Sequence, residues 1–176
     1  MFWVLCLCGL TPLASGAVLI SKESALKRIL PQAETTDHQT ISLTTAQIAD
    51  LEQKANIERS DEFGSLYNVY VGKNNGQIVG YAIEDMVHGK WGPIHYIAGI
   101  TPDGKISDVV VLEYKEIRGR PVAKKKFLRQ FYGKTIQDPL KLRKDIDGIT
   151  GATISSRGMT EGVRKLLHIF EEFLKS

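Results

Sequence analysis

SLYNVYVGKNNGQIVGYAI, residues 65–83, decides the fold class of this chain. From Ser65 the apolar period changes to two, with Leu66, Val69 and Val71 before a turn and Ile78, Val79, Tyr81 and Ile83 after it. Asn74-Asn75-Gly76 joins the two runs with residue types that tolerate positive φ, so the segment reads as a β-hairpin. A second pair of strands is predicted over 94–100 and 106–112, joined by Pro102-Asp103-Gly104-Lys105, whose residues suit a tight turn.

Helical patterns flank these strands. Residues 21–30 place Ala25, Leu26, Ile29 and Leu30 on one side of a helix that Pro31 ends, and a polar stretch follows to Thr40. Thr44 or Thr45 can cap a second helix carrying Ile48, Leu51 and Ala55 at helical spacing, with Lys54 at the end of its polar face. Pro121 suits the first turn of a third helix, with Phe127, Leu128, Phe131 and Tyr132 packing and Lys124, Lys125, Lys126 and Arg129 exposed. In the last helix, over 156–175, Met159, Val163, Leu166, Leu167, Phe170, Phe173 and Leu174 form a continuous apolar stripe. Strands in the middle and helices at the ends predict an α+β fold, an antiparallel sheet with flanking helices.

The chain has 176 residues, enough for one domain with a substantial core. Its first twenty residues carry no charge, Pro12 breaks the apolar run, and Ser15-Gly16-Ala17 is acceptable to a signal peptidase. Cleavage after Ala17 is the expectation; the other outcome is retention of the uncharged stretch as a membrane anchor. Both cysteines, Cys6 and Cys8, lie within it, so a mature chain would have no thiol for disulfides, cysteine-ligated zinc, iron–sulfur clusters or c-type haem. Redox work would then fall to a bound organic cofactor. A net charge of +3 on an exported chain argues against nucleic acid as partner. The basic face at 124–129, which Arg118 and Arg120 extend, is either a solvated surface or a patch that steers an acidic redox partner or touches anionic headgroups.

Chemistry is readable in DGITGATISS, residues 147–156, where glycines and hydroxyl side chains stand immediately before the last helix. Such a stretch allows a tight turn whose free N–H groups point at an anion. Asp147 stands ahead of Thr153, where its carboxylate can hold a metal ion or accept a proton while the threonine hydroxyl is loaded. DGITGAT resembles the D-x-x-[ST]-G-A-T flavinylation motif of the FMN-binding domain family, which includes the C and G subunits of the Nqr and Rnf respiratory complexes. The resemblance covers roughly residue 61 to the C-terminus.

The resemblance implies that FMN is joined to Thr153 through a phosphoester bond, made by a separate flavin transferase that uses FAD and a divalent metal. It places Asp147, Thr150, Gly151, Ala152, Ser155 and Ser156 around the cofactor, with the helix dipole favouring the phosphodiester anion. Similar Gly/Trp and Gly-Gly-Pro-Ile loops in the family lie beside the isoalloxazine ring, which makes Trp91, Gly92 and Pro93 of HGKWGPI the expected ring neighbours. Glu116 and Gly119 keep the places of the family's glutamate and glycine at the end of a strand, although its Thr-Pro and Leu-Gly pairs are replaced here. An arginine at 118 or 120 would suit the flavin phosphate. The implied organisation is a signal peptide or anchor over 1–17, a helical lead-in over 18–60 and the FMN-binding domain over 61–176.

The function so implied is an exported electron-transfer flavoprotein of a respiratory chain, on the periplasmic or extracellular face of the cytoplasmic membrane. It would pass electrons between a membrane redox complex or cytochrome and another redox protein. No residue reads as a catalytic acid, base or nucleophile toward a small substrate. The alternatives are a reductase of a small acceptor such as a quinone or metal complex, and a flavin-free interaction module of a membrane complex. Gly133-Lys134-Thr135 resembles the end of a Walker A loop, but Leu128 occupies the position of the required glycine. His38, His88, His95 and His168 show no ligand spacing, so no metal site is expected.

Overall fold

The computed structural model describes residues 17–57, 64–90, 92–114 and 120–175. Its centre is a six-stranded, wholly antiparallel sheet in the order β1-β6-β5-β4-β3-β2. The strands are β1 (Ala17–Val18), β2 (Thr35–Ser42), β3 (Leu66–Asn74), β4 (Gln77–His88), β5 (Pro93–Ile100) and β6 (Ile106–Tyr114). Helix α1 (Lys22–Ile29) covers one face; α2 (Thr45–Lys54), α3 (Lys125–Leu128) and α4 (Thr153–Phe173) serve the other. The α+β architecture expected from the sequence is the one observed.

The central hairpin forms for the reason its turn suggests. Asn75 and Gly76 both take left-handed backbone, with φ of 49° and 78°, so the two-residue loop twists in the sense that antiparallel strands need. Asn74 then pairs with Gln77. In the β5–β6 turn, Gly104 takes φ of 84° and donates to the Thr101 carbonyl.

Side chains alternate across the sheet into two cores. Ala82, Ile97, Val110 and Leu112 meet Ala25 and Ile29 of α1, while Ile83, Tyr96, Val109 and Val111 meet Met159, Val163, Leu166 and Phe170 of α4. Ser21 caps α1 by accepting from the Ser24 N–H, and Thr44 with Gln47 forms a capping box at α2. Helix α4 approaches β4 closely at Gly162, where a Cβ would fall 2.5 Å from both Tyr96 Oη and Val87 Cγ1.

Three local expectations are corrected. The polar stretch before Thr40 contains β2, an edge strand exposed on both faces whose residues therefore show no apolar alternation; the helical lead-in includes a strand. The helix expected from Pro121 is three short pieces: single 3-10 turns at Arg120–Ala123 and Arg129–Phe131 flank α3. Phe127, Leu128 and Phe131 are buried as expected, but Tyr132, placed beyond the last turn, is exposed. Among the described residues no helix is long and apolar enough to cross a membrane; both signal and anchor readings fall mainly on residues 1–16, outside the described residues.

Candidate functional site

The approach to α4 is built by carboxylates that hold backbone. Asp145 accepts from the Lys141 N–H at 2.8 Å, the Leu140 N–H at 3.1 Å and Lys134 Nζ at 3.0 Å. Burial pushes the Asp145 carboxyl up, but the donated hydrogen bonds and the Lys134 charge outweigh it and lower its pKa. Asp138 accepts from the backbone N–H and hydroxyl of Thr135 and from Lys134. The lysine and threonine of the GKT sequence are thus tied to carboxylates of their own loop.

In the motif itself, Ala152 donates to the Ile149 carbonyl at 2.9 Å, closing a four-residue turn in which Gly151 has φ of 82°. That left-handed position explains the glycine. Ser156 Oγ accepts from the Ile149 N–H at 3.1 Å, tying the loop to the helix it precedes. Thr153 is the first residue of α4; its cap, Ala152, offers no side-chain hydrogen bond. The helix N-terminus is therefore uncapped by a side chain and carries the partial positive charge of its first amides.

Thr153 is exposed and lines a cavity of about 430 Å³ together with Lys141, Leu142, Arg143, Arg157, Thr160 and Arg164. Arg157 lies one helical turn beyond Thr153, on the same face. Arg164 closes the far wall by donating to the carbonyls of Leu140 at 2.8 Å and Asn56 at 2.9 Å. Its burial lowers the guanidinium pKa from the ordinary value. The lining also includes Glu161, so its cations outnumber its carboxylates and it suits an anion. Sequence reasoning did not single it out, because an arginine on a helix face reads as solvated; the signal available was the spacing of Arg157 from Thr153.

A second cavity, of about 440 Å³, opens on the other side of the motif between Lys124, Lys126, Phe127 and Gln130 and residues 147–149. Asp147, Thr150 and Gly151 are exposed and Ala152 is buried. Ser155 and Ser156 are fully buried, and Ser156 Oγ supports the loop from within.

The end of β4 at His88 lies against the same helix. Gly89 donates to the Gly92 carbonyl, Pro93 pairs with His88, and a Cβ on Gly158 would fall 2.6 Å from the His88 carbonyl oxygen. Gly158 follows Thr153 by five residues, roughly 7.5 Å along a helix. The base of the loop holding Gly92 and Pro93 is thus brought near the motif. Trp91, Glu116 and Gly119, together with Arg118, lie outside the described residues. Among the described residues no group of three or more histidine, cysteine or carboxylate side chains is placed to hold a metal ion.

Residues 89–168 match the model of the FMN-binding domain. The chain is 27% identical over 161 residues to the G subunit of the Na(+)-translocating ferredoxin:NAD(+) oxidoreductase complex of Acetobacterium woodii, covering 86% of this chain and 74% of that one. It is 28% identical to the G subunit of an ion-translocating oxidoreductase complex of Methanosarcina acetivorans, covering 87% and 78%. The crystal structure of Shewanella oneidensis NqrC superimposes with a TM-score of 0.57 at 15% identity, covering 86% of this chain and 95% of that one, and so has the same fold. Residues 89–168, which hold the motif loop, thus match the FMN-binding domain, and the sheet and helices share the fold of NqrC.

Proposed function

We propose that this chain is an electron-carrying subunit of a membrane redox complex, with FMN attached through a phosphoester to Thr153. The observation that carries the reading is the exposed Thr153 hydroxyl on the first residue of α4, beside an uncapped helix N-terminus and a cavity lined by Lys141, Arg143 and Arg157. The A. woodii and M. acetivorans relatives, each the G subunit of an oxidoreductase complex, support the assignment to such a complex.

Attachment by a flavin transferase balances simply. The Thr153 hydroxyl attacks the FMN phosphorus of FAD, the pyrophosphate P–O bond breaks, AMP leaves, and the hydroxyl proton passes to a base. A secondary hydroxyl is a weak nucleophile unaided, which is why a transferase and its divalent metal are invoked. Asp147, exposed at the start of the motif, is the carboxylate available for recognition by that enzyme. When bound, FMN supplies two-electron acceptance with release of electrons singly. The chain's part is to hold the phosphodiester with the α4 amides and the cavity's cations, and to bring the Gly92-Pro93 loop to the ring. Location on the periplasmic or extracellular side belongs to the same reading, supported by the uncharged N-terminal stretch.

Co-expression of the full chain with a flavin transferase, followed by denaturation and intact-mass measurement, tests the assignment. Flavin retained through denaturation, with a mass increase of one FMN less one water, is the expected result. Flavin released on denaturation would reduce the claim to non-covalent binding, and a colourless protein would leave the interaction module as the reading.

A further inference from the structure

Cations over much of the described surface are matched by carboxylates. Lys27 pairs with Glu23, Arg28 with Asp108, Lys54 with Asp50 and Glu172, Lys73 with Asp37, Lys105 with Asp103 and Lys175 with Glu171. The pattern changes around the motif loop. On one side Lys124, Lys125, Lys126 and Arg129 are all exposed, and among the described residues none has a carboxylate within ion-pair distance. On the other side Lys141, Arg143 and Arg157 are likewise exposed and unmatched among the described residues. Asp147 and Glu161, one on each side, are too few to neutralise them. The modest net charge of the chain therefore conceals a local excess, and the excess borders the loop that ends at Thr153.

We propose that this cationic rim is the docking surface for an acidic redox protein that exchanges electrons with the flavin; the redox part rests on the reading of Thr153 given above. Concentrated charge of one sign accelerates encounter with an oppositely charged partner and orients it, which suits a transient electron-transfer contact. Two exposed apolar side chains lie within the rim, Tyr132 beside Lys125 and Arg129, and Ile154 next to Thr153. Apolar anchors surrounded by charge are the makeup of a protein interface. The rim is also concave, with a cavity on each side of the motif, and a flat headgroup layer would reach only its outer points. The other exposed large apolar residues among those described are Leu19, which follows β1, and Val18, Leu66, Ile78 and Met86, which belong to strands of the sheet.

The test measures association of the full chain, flavin-loaded and flavin-free, with an acidic flavodoxin and a basic cytochrome c by biolayer interferometry across a salt series. The flavodoxin should bind and the cytochrome should not, with binding weakening as salt rises. K124E/K125E/K126E should weaken flavodoxin binding by about tenfold or more at low ionic strength, while K27E/K105E stays near wild type. Flavodoxin binding by flavin-free protein would support the surface even if the cofactor assignment failed. Equal effects of the two charge reversals, or no salt-sensitive flavodoxin binding, would overturn the proposal. Rim-dependent binding to phosphatidylglycerol vesicles without flavodoxin binding would assign the rim to a membrane and overturn it. Loss of flavin loading in the rim variant with unchanged flavodoxin binding would assign it to cofactor attachment and also overturn it.

Discussion

Gln130 brackets the backbone of Asp147: its side-chain oxygen accepts from the Asp147 N–H at 2.7 Å, and its side-chain nitrogen donates to the Asp147 carbonyl at 3.2 Å. The same nitrogen reaches the Phe127 carbonyl at 3.4 Å. One amide thus fixes the first residue of the motif to the short helical segment packed on β6, while Ser156 fixes the middle of the loop to α4. The motif is held at its start and its middle and left open at Thr150, Gly151 and Thr153.

Gln130→Ala should therefore loosen the loop without unfolding the domain. Two hydrogen bonds at a partly exposed site are worth roughly 1–2 kcal/mol together. The expected outcome is a small fall in denaturation midpoint with faster amide exchange at 147–152. Unchanged exchange there would show that Ser156 and the Ile149–Ala152 turn suffice.

Acid stability should depend on Glu84. Burial pushes this carboxyl up, but hydrogen bonds from His95 at 2.7 Å and Lys22 at 3.0 Å prevail and lower its pKa to about 2. A folded-state pKa below the unfolded value gives stability that is present above about pH 4.5 and lost as pH falls toward 2. Glu84→Gln should flatten the acid limb of a urea-unfolding series between those values. An unchanged acid limb would mean that other carboxylates set it.

The residues of the sheet were legible where burial differs between its two faces. Val69, Val71, Ile83 and Tyr81 lie where the alternation puts them, and Asn75-Gly76 announced its own turn. Strand β2 was hidden because an edge strand exposed on both faces has nothing to alternate. The motif singled out Thr153 as the proposed acceptor, whereas nothing in the sequence drew Lys141, Arg143 and Arg157 to its cavity, because their convergence depends on a loop in which Leu140 and Arg143 adopt φ of 41° and 64°. Non-glycine residues are uncommon in that region; around Leu140 the chain is held by the Asp145 carboxylate within the loop and by Arg164 from α4, and no apolar periodicity signals such an arrangement.

The buried pair under α4 gives a stability prediction. Lys165 Nζ lies 3.0 Å from Asp85 Oδ2, which also accepts from Tyr96 Oη at 2.7 Å, and all three residues are buried. Lys165→Met would strand a buried carboxylate and should cost roughly 3–5 kcal/mol. Adding Asp85→Asn should recover part of that loss, measured as a double-mutant cycle in urea. Additive losses would show that the two charges are stabilised independently.

The proposed attachment at Thr153 has one close competitor, since Thr150 is also exposed and lies in the same turn. Exposure alone does not separate them. Thr153 is distinguished by its place at the start of α4 and on the wall of the cavity that holds Arg157, so that a phosphate on its oxygen meets the helix amides and the cation together. Thr150 precedes the left-handed Gly151 and is absent from the residues lining that cavity. In protein co-expressed with a flavin transferase, Thr153→Ala should abolish the mass increment, Thr153→Ser should keep some, and Thr150→Ala should remain labelled. Asp147→Ala should lower the yield of labelled protein if the transferase or its metal reads that carboxylate. The variants at 153 and 150 remove only a methyl group, or a methyl group and a hydroxyl, from exposed positions, so circular dichroism should match wild type throughout. A folded Thr153→Ala protein that still carries flavin through denaturation would place the acceptor elsewhere.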